Sequence, residues 1–159
     1  MHRRRVLRPP LALTALAASA VLLAGCGQDA VRATPFEQSD SPACQAVAEL
    51  WPATVGDLAG RITAVQSTGV AAWGDPPIVA RCGKTPPGPT EDPCIDVDGV
   101  DWVATELDDG TMFTTYGRSP AVEVLVPEVY DSAPMWLPAF GDAVETIPQT
   151  LGECSSVFD

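Results

Sequence analysis

The sequence contains 159 residues, of which 46% are hydrophobic, and its 21 acidic and nine basic side chains give a formal charge of −12. This balance excludes a nucleic-acid-binding protein, because contacts with phosphates require basic patches. The only histidine, His2, is the second residue, so the body of the chain has none for a Ser-His-Asp or Cys-His mechanism. Neither a glycine-rich nucleotide motif nor metal-ligand spacing is present, and the sequence predicts no cofactor and no metal.

A basic segment followed by an apolar segment opens the chain. Four arginines precede an uncharged run from Leu11 to Gly25, which is the layout of a secretory signal. The run is shorter than the roughly 20 residues that a membrane-spanning helix requires. We therefore predict a signal peptide over residues 1–25 and export by the Sec route. The twin-arginine route is the alternative, because residues 3–8 also fit that pattern loosely.

The apolar run ends in Leu23-Ala24-Gly25-Cys26, which resembles a bacterial lipobox. In such a motif the cysteine thiol is acylated and the cysteine becomes the first residue of the mature chain. The resemblance implies palmitate-type lipid attachment at Cys26, with the bilayer as a partner and a location at the extracytoplasmic face of the cell membrane. Each buried methylene adds about 0.8 kcal/mol to such anchoring. An ordinary signal cut nearby, with Cys26 as a free thiol, is the alternative.

Cleavage before Cys26 changes the charge and the length of the chain. It removes four arginines and leaves five basic against 21 acidic residues, a formal charge of −16, over 134 residues. That length is typical of one domain. Residues 26–43 are predicted as the acylated cysteine and a flexible tether, and residues 44–159 as a single domain. The acidic surface favours solubility by self-repulsion, and affinity for cationic partners is the alternative.

The first element predicted in the domain is a helix that starts at Ser41-Pro42, with the serine as cap and the proline in the first turn. Pro52 limits this helix, and residues 53–58 are interpreted as its continuation after a break. The turn Trp73–Pro77 then leads into a strand over Ile78–Cys82. Helix and strand are thus both bounded by proline.

The strongest signal in the middle of the chain is a hairpin. Asp109-Gly110 separates two β-rich runs, Val100–Glu106 and Thr111–Tyr116. The next strand, Ala121–Val126, alternates between a valine face and a face that includes Glu123. These runs predict an antiparallel meander.

The C-terminal part suggests a second, interrupted helix. Its pieces are Trp136–Phe140 and Val144–Leu151, with breaks at Gly141 and Pro148. The predicted fold class is therefore α+β, an antiparallel β-meander with helices from both ends of the domain packed on one face.

Four cysteines remain after Cys26, namely Cys44, Cys82, Cys94 and Cys154. An even number in an exported chain indicates two disulfides, and sequence alone leaves three connectivities open. The preferred pairing joins Cys82 to Cys94 across a short Pro/Gly-rich loop, and Cys44 to Cys154 between the ends of the domain. Metal binding by four thiolates is the alternative, which the lack of C-x-x-C spacing disfavours.

Three motifs extend over the domain: "AAWGDPPIVARCG" at 71–83, "GVDW" at 99–102 and "FTTYGRSPAVEVLVP" at 113–127. With the flanking Cys44 and Cys154, they resemble a family of actinobacterial secreted lipoproteins that is known only as a domain of unknown function. The likeness covers the whole domain between those two cysteines. It implies an exported, membrane-anchored domain with paired cysteines, and it supplies no activity, substrate or catalytic residue.

A carboxylate pair is the one familiar catalytic device that these residues still allow. Its candidates are Asp75, Asp101 and Glu123, the acids embedded in the most structured motifs. The alternative is that they form turns and ion pairs. Asp75 precedes two prolines in a predicted turn, and Glu123 would be satisfied by Arg81 or Arg118.

Two weaker patterns have simpler explanations. The acids from Asp96 to Asp101, with Glu106 beyond, could offer oxygens to calcium, but the glycine at position 99 comes too early for an EF-hand loop and favours an acidic turn. Four tryptophans could form a sugar-stacking platform, although their scatter along the chain favours core packing. They are Trp51, Trp73, Trp102 and Trp136.

Two classes of function follow from these observations. The favoured hypothesis is a non-catalytic module that binds an envelope protein or a cell-wall component, and it predicts an exposed apolar or aromatic patch. The alternative is a carboxylate-dependent hydrolase acting on envelope glycan. That enzyme requires two acids about 5 to 9.5 Å apart in a cleft.

Overall fold

The computed structural model describes residues 29–155, so the predicted signal peptide and Cys26 lie outside the described residues. Two α-helices, α1 (Pro42–Glu49) and α2 (Gly141–Glu145), and one 3₁₀ helix (Ala133–Phe140) accompany eight β-strands. Within residues 29–155, no helix is both long enough and apolar enough to cross a membrane.

All eight strands belong to one antiparallel sheet with the order β1-β2-β3-β4-β8-β7-β6-β5. The chain forms two meanders, β1 to β4 and β5 to β8, and their last strands pair at the centre of the sheet. The strands are β1 (Thr54–Val55), β2 (Leu58–Arg61), β3 (Val70–Trp73), β4 (Ile78–Lys84), β5 (Cys94–Val97), β6 (Val100–Leu107), β7 (Gly110–Thr115) and β8 (Ala121–Pro127). The connection from β4 to β5 therefore passes three intervening strands.

One face of the sheet carries the hydrophobic core. Val122, Val124 and Val126 of β8 are all fully buried there, because a strand directs every second side chain to the same face. Helix α1 contributes Val47 to this core, and the 3₁₀ helix contributes Phe140. The predicted α+β class, with helices from both ends of the domain on one sheet face, is thus confirmed.

The opposite face of the sheet, here called the open face, carries the alternate side chains of the same strands. Val79 on β4 lies opposite Leu125 on β8, and Arg81 lies opposite Glu123. Glu123 in turn lies opposite Thr114 on β7. The open face therefore has an apolar row and a charged row side by side.

The N-terminal segment (residues 29–40) runs along the open face. Val31 forms a parallel bridge with Thr63, and the Ser39 hydroxyl donates a hydrogen bond of 2.7 Å to the carbonyl of Cys82. The sequence assigns this segment to the tether. In the structure it packs on the sheet from residue 31 onward, so any spacer ends before that residue.

The two disulfides are confirmed, but the predicted pairing was wrong, because Cys44 bonds to Cys82 and Cys94 bonds to Cys154. Cys82 is buried on the core face, whereas Cys94 lies opposite Val103, an open-face position of β6. Their strands, β4 and β5, are four places apart in the sheet, a span of about 19 Å. A short loop in sequence therefore does not bring these two thiols together.

The predicted helix start and the predicted strand are confirmed. The Ser41 side chain accepts a hydrogen bond from the Cys44 N–H, and Pro42 is the first residue of α1. The strand predicted over Ile78–Cys82 is β4. The capping chemistry and the apolar run are local signals, which is why the sequence reports them reliably.

Two helical predictions were wrong. Residues 53–58 hold β1 and the start of β2, and Gly56 turns the chain between them with a φ of +57°. The C-terminal helix ends at Glu145, so residues 146–151 are not helical. Pro148 lacks the N–H that a continuing helix needs.

The predicted hairpin is confirmed as β6 and β7, with its turn shifted by one residue. Leu107 pairs with Gly110, so the two turn residues are Asp108-Asp109. A Cβ atom at position 110 would overlap the carbonyl oxygen of Val126 on β8. The glycine is therefore required by the close approach of a neighbouring strand.

Candidate functional site

The open face carries a buried acid with two basic partners. Glu123 is only 2% exposed, and it forms ion pairs with Arg81 through Oε1 and with Lys84 through Oε2. Arg81 is its direct neighbour across β4 and β8. The predicted contact with Arg81 is confirmed, and the contact with Lys84 was not predicted.

The N-terminal segment completes the surroundings of this charged cluster. The Arg81 guanidinium lies 4.3 Å from the centre of the Phe36 ring and donates a hydrogen bond of 3.0 Å to the Thr34 carbonyl. The Lys84 ammonium lies 3.3 Å from the Thr114 hydroxyl. Because both cations and both carboxylate oxygens of Glu123 are engaged within the fold, the cluster acts as a structural ion-pair network.

Asp101 has a different set of partners on the same face. Its Oδ2 accepts hydrogen bonds of 2.7 Å from the Gln149 side chain and from the Cys154 N–H. It therefore holds the C-terminal segment (residues 149–155) against the sheet, beside the disulfide from Cys154 to Cys94. This is a structural role for a buried carboxylate.

We expect Asp101→Ala to lower the free energy of unfolding by about 2 kcal/mol, because hydrogen bonds to a charged acceptor contribute about 1.5 to 3 kcal/mol. The amide of Cys154 should exchange faster with deuterium, since it loses its acceptor. Hydrogen-exchange NMR measures this change. Asp96→Ala is the matched control, because Asp96 is exposed and has only a turn contact to Gly99. Equal exchange of Cys154 in both variants would contradict the assignment.

Arg118 neutralises part of the acidic charge near this segment. It is buried and donates a hydrogen bond to the Ile147 carbonyl. Burial lowers the pKa of Arg118, and the nearby Glu145 and Asp101 oppose that change without cancelling it. A guanidinium stays charged at physiological pH even so, so Arg118 acts as an internal cation.

Asp75 lies in the turn between β3 and β4, as predicted. Its exposed carboxylate is 3.7 Å from Nη1 of Arg61. Arg61 also donates hydrogen bonds to the carbonyls of Gly74 (2.6 Å) and Asp29 (2.9 Å). The arginine thus ties this turn to the start of the N-terminal segment.

The structure does not bring the three candidate acids together. Asp101 and Glu123 are two strands apart and two positions out of register, which separates their Cα atoms by about 12 Å. Asp75 belongs to a turn at the end of β3, and each of the three side chains has its own partners. Because the carboxylates are engaged with different partners, the structure gives no support for a glycosidase pair among them.

The two weaker patterns also have structural explanations. Asp96 accepts a hydrogen bond of 3.4 Å from the N–H of Gly99, so the acidic run forms the turn between β5 and β6. In the part of the chain that the structure describes, no three acids, cysteines or histidines are grouped to hold a metal ion.

The tryptophans pack into or against the core, as predicted. Trp73 meets Trp51 and Phe140 edge to face, with ring centres 6.2 and 5.3 Å apart. Trp102 is fully buried, and Trp136 packs on Tyr130 at 5.2 Å. These contacts provide core stability and leave no tryptophan platform for sugar stacking within residues 29–155.

An apolar pocket of about 470 Å³ lies on the open face, at the end of the sheet where the N-terminal segment begins. This entry pocket has an apolar lining of Val31, Pro76, Val79, Leu125, Pro127 and Val129, and it is flanked by the exposed side chains of Arg32, Asp109 and Glu128. The Tyr130 hydroxyl fixes one wall by donating a hydrogen bond of 2.7 Å to the Pro76 carbonyl. Proline walls and this bond give a preformed pocket.

Among the described residues that line the entry pocket, Arg32 is the only basic one. Among residues 29–155, Arg61, Arg81, Lys84 and Arg118 all contact carboxylates or carbonyls inside the fold. Arg32 is exposed and forms no ion pair with a described residue. One available cation on an otherwise acidic surface therefore lies beside the apolar pocket.

The fold and these contacts define a small α+β domain with two disulfides and a preformed apolar pocket. Residues 7–151 match the family described as protein of unknown function (DUF3515). Because the match covers most of the chain, the protein belongs to this family. No curated protein and no solved structure matches the chain.

Sequence reasoning missed the entry pocket, because its lining comes from separate parts of the chain. The N-terminal segment, the β3–β4 turn and the end of β8 meet only in the folded sheet. One signal was available: Arg32 is the only basic residue between Cys26 and Arg61. A lone cation in a strongly acidic chain is a candidate for a specific contact.

Proposed function

We propose that the protein is an extracytoplasmic lipoprotein, anchored through acyl chains on Cys26, whose domain is a non-catalytic binding module of the cell envelope. The observation that carries this proposal is the entry pocket, a preformed apolar site at the point where the chain from Cys26 reaches the domain. A binding module needs such a site and needs no catalytic pair.

The chain between Cys26 and the entry pocket is short. Val31, the first residue of the pocket lining, follows Cys26 by five residues, which can span at most about 18 Å. The N-terminal segment is packed on the sheet from Val31 onward and provides no long spacer. An anchor at Cys26 would therefore hold this end of the sheet close to the bilayer.

Exposed apolar side chains lie at the pocket and beside the N-terminal segment. Val129 of the pocket lining is 61% exposed, and Ile62 is 78% exposed. The Ile62 carbonyl accepts a hydrogen bond of 2.8 Å from the N–H of Val31, so Ile62 adjoins the N-terminal segment. The binding hypothesis requires exposed apolar surface, and Val129 supplies it at the pocket.

The hydrolase alternative receives no support from the geometry. Its two acids would have to share one cleft at about 5 to 9.5 Å, whereas Asp75, Asp101 and Glu123 are apart and engaged with different partners. We therefore propose no second function.

We expect Cys26→Ser to abolish incorporation of labelled palmitate and to leave the protein unprocessed or released into the medium. The reason is that the lipobox thiol is the proposed attachment point, so an unprocessed chain carries no label, and a processed chain without acyl chains has little affinity for the bilayer. Metabolic labelling followed by intact-mass analysis of the membrane fraction measures both effects.

Ser155→Ala is the control for this experiment, because it changes an exposed serine outside the lipobox. It should be labelled and retained like the parent protein. Normal labelling and membrane retention of the Cys26→Ser chain would overturn the anchoring proposal.

A further inference from the structure

We propose that the entry pocket binds an amine-bearing phospholipid of the outer leaflet. One acyl chain would occupy the apolar pocket, the phosphate would contact Arg32, and the ammonium group would contact Asp109 or Glu128. This inference deepens the proposed function and rests on it, because the proposed anchor at Cys26 places the pocket at the bilayer.

The acyl chain is matched by the pocket lining. The pocket has a volume of about 470 Å³, which falls in the usual range for small-molecule sites. The walls are aliphatic side chains and prolines, with Val79 and Leu125 forming the floor from neighbouring strands. Such walls favour a flexible hydrocarbon chain, which needs no hydrogen-bond partner.

The charged residues around the pocket match a zwitterionic headgroup. Arg32 is exposed and unpaired with any described residue, and a guanidinium binds phosphate oxygens in a bidentate manner. Asp109 and Glu128 lie on the same rim, and the N–H of Glu128 donates a hydrogen bond of 2.9 Å to the Asp109 carbonyl. A purely anionic headgroup would be repelled by these two acids, whereas an ammonium group complements them.

The position of the pocket also favours a lipid over a soluble ligand. Val31 lies within five residues of the proposed anchor, so the pocket and the bilayer surface would be within about 18 Å of each other. At that distance membrane lipids are the most concentrated apolar ligands available.

The test uses the full-length Cys26→Ser chain, which removes the protein's own acyl chains as an occupant. Dihexanoyl phosphatidylethanolamine, kept below its micelle concentration, is titrated into this parent by isothermal calorimetry. We expect saturable binding, and dihexanoyl phosphatidylglycerol should bind about tenfold more weakly or not at all. Arg32→Gln should weaken phosphatidylethanolamine binding about tenfold, the effect of losing one charge-assisted contact.

Two variants block the pocket in different ways. Leu125→Trp fills it from the strand, and Val129→Asp places a charge on an exposed part of its wall, away from the core. Both should lose detectable binding. Two matched controls should bind like the parent: Leu50→Trp, at the exposed position that follows α1, and Glu49→Gln, which removes an exposed acid at the last residue of α1.

Absence of phosphatidylethanolamine binding would overturn the inference, as would equal binding of phosphatidylglycerol or unchanged binding by Leu125→Trp and Val129→Asp. The failure of the anchor is distinguishable from the failure of the pocket. If palmitate labels no site but the Cys26→Ser chain binds the lipid, the anchoring proposal fails and the pocket assignment stands. If palmitate labels Cys26 but the lipid does not bind, the anchoring proposal stands and the pocket assignment fails.

Discussion

Glu123→Leu is expected to lower the free energy of unfolding by about 3 kcal/mol or more. The substitution removes the shared partner of Arg81 and Lys84, and it leaves two largely buried cations without a counter-charge. The side chains of these two residues are only 26% and 28% exposed, so water compensates them incompletely. Urea unfolding under non-reducing conditions measures the loss.

A matched control and a rescue variant separate the effect of the ion pairs on stability from the effect of removing one negative charge. Glu49→Gln removes an exposed acid on α1 and should change the stability by less than about 0.5 kcal/mol. The triple variant Arg81→Met, Lys84→Met, Glu123→Leu should recover most of the loss, because apolar replacement of a whole buried ion network is often neutral. A triple variant as unstable as Glu123→Leu would contradict this explanation.

Removing the disulfide between Cys44 and Cys82 is expected to have a larger effect than Glu123→Leu. The bond closes a loop with a sequence separation of 38 residues, and the chain-entropy model gives about 4 kcal/mol for such a loop. Both cysteines are fully buried in the core, so Cys44→Ala with Cys82→Ala also leaves unfilled space there. The measured unfolding free energy should fall by at least this amount.

Peptide mapping of the unchanged protein tests the connectivity of the two disulfides. Proteolysis without reduction should yield one linked pair of peptides that carries Cys44 and Cys82, and a second that carries Cys94 and Cys154. Cys94→Ala with Cys154→Ala is the matched control, because it removes a bond near the surface and should preserve the first linked pair. Peptides linking Cys82 to Cys94 would show that the assigned pairing is incorrect.

Local sequence signals predicted the local parts of the fold. Ser41-Pro42 marked the start of α1, and the alternation of Val122, Val124 and Val126 marked a half-buried strand. The strands that were missed are short: β1 has two residues, and β2, β3 and β5 have four each. Such short segments carry too few alternating positions to show a period, and their stability comes from neighbours in the sheet.

Long-range pairing explains the remaining errors. The central contact of the sheet joins β4 to β8, whose residues are about 40 positions apart, and no local pattern encodes it. That contact and the position of β5 at the far edge decide which cysteines face each other. The sequence was enough to predict that Glu123 pairs with an arginine, because a buried acid needs a partner. Identifying Arg81 rather than Arg118 as that partner requires the register between β4 and β8.

The exposure of Arg32 makes it a target for a protease that cuts after lysine or arginine. Within residues 29–155, four of the five target side chains are held in internal contacts, and only Arg32 is both exposed and unpaired with a described residue. Arg32 also lies between Cys26 and the rest of the fold. A cut after Arg32 would separate the proposed anchor at Cys26 from residues 33–155, which hold both disulfides, and it would detach Val31 from its buried cluster with Ala72 and Val79.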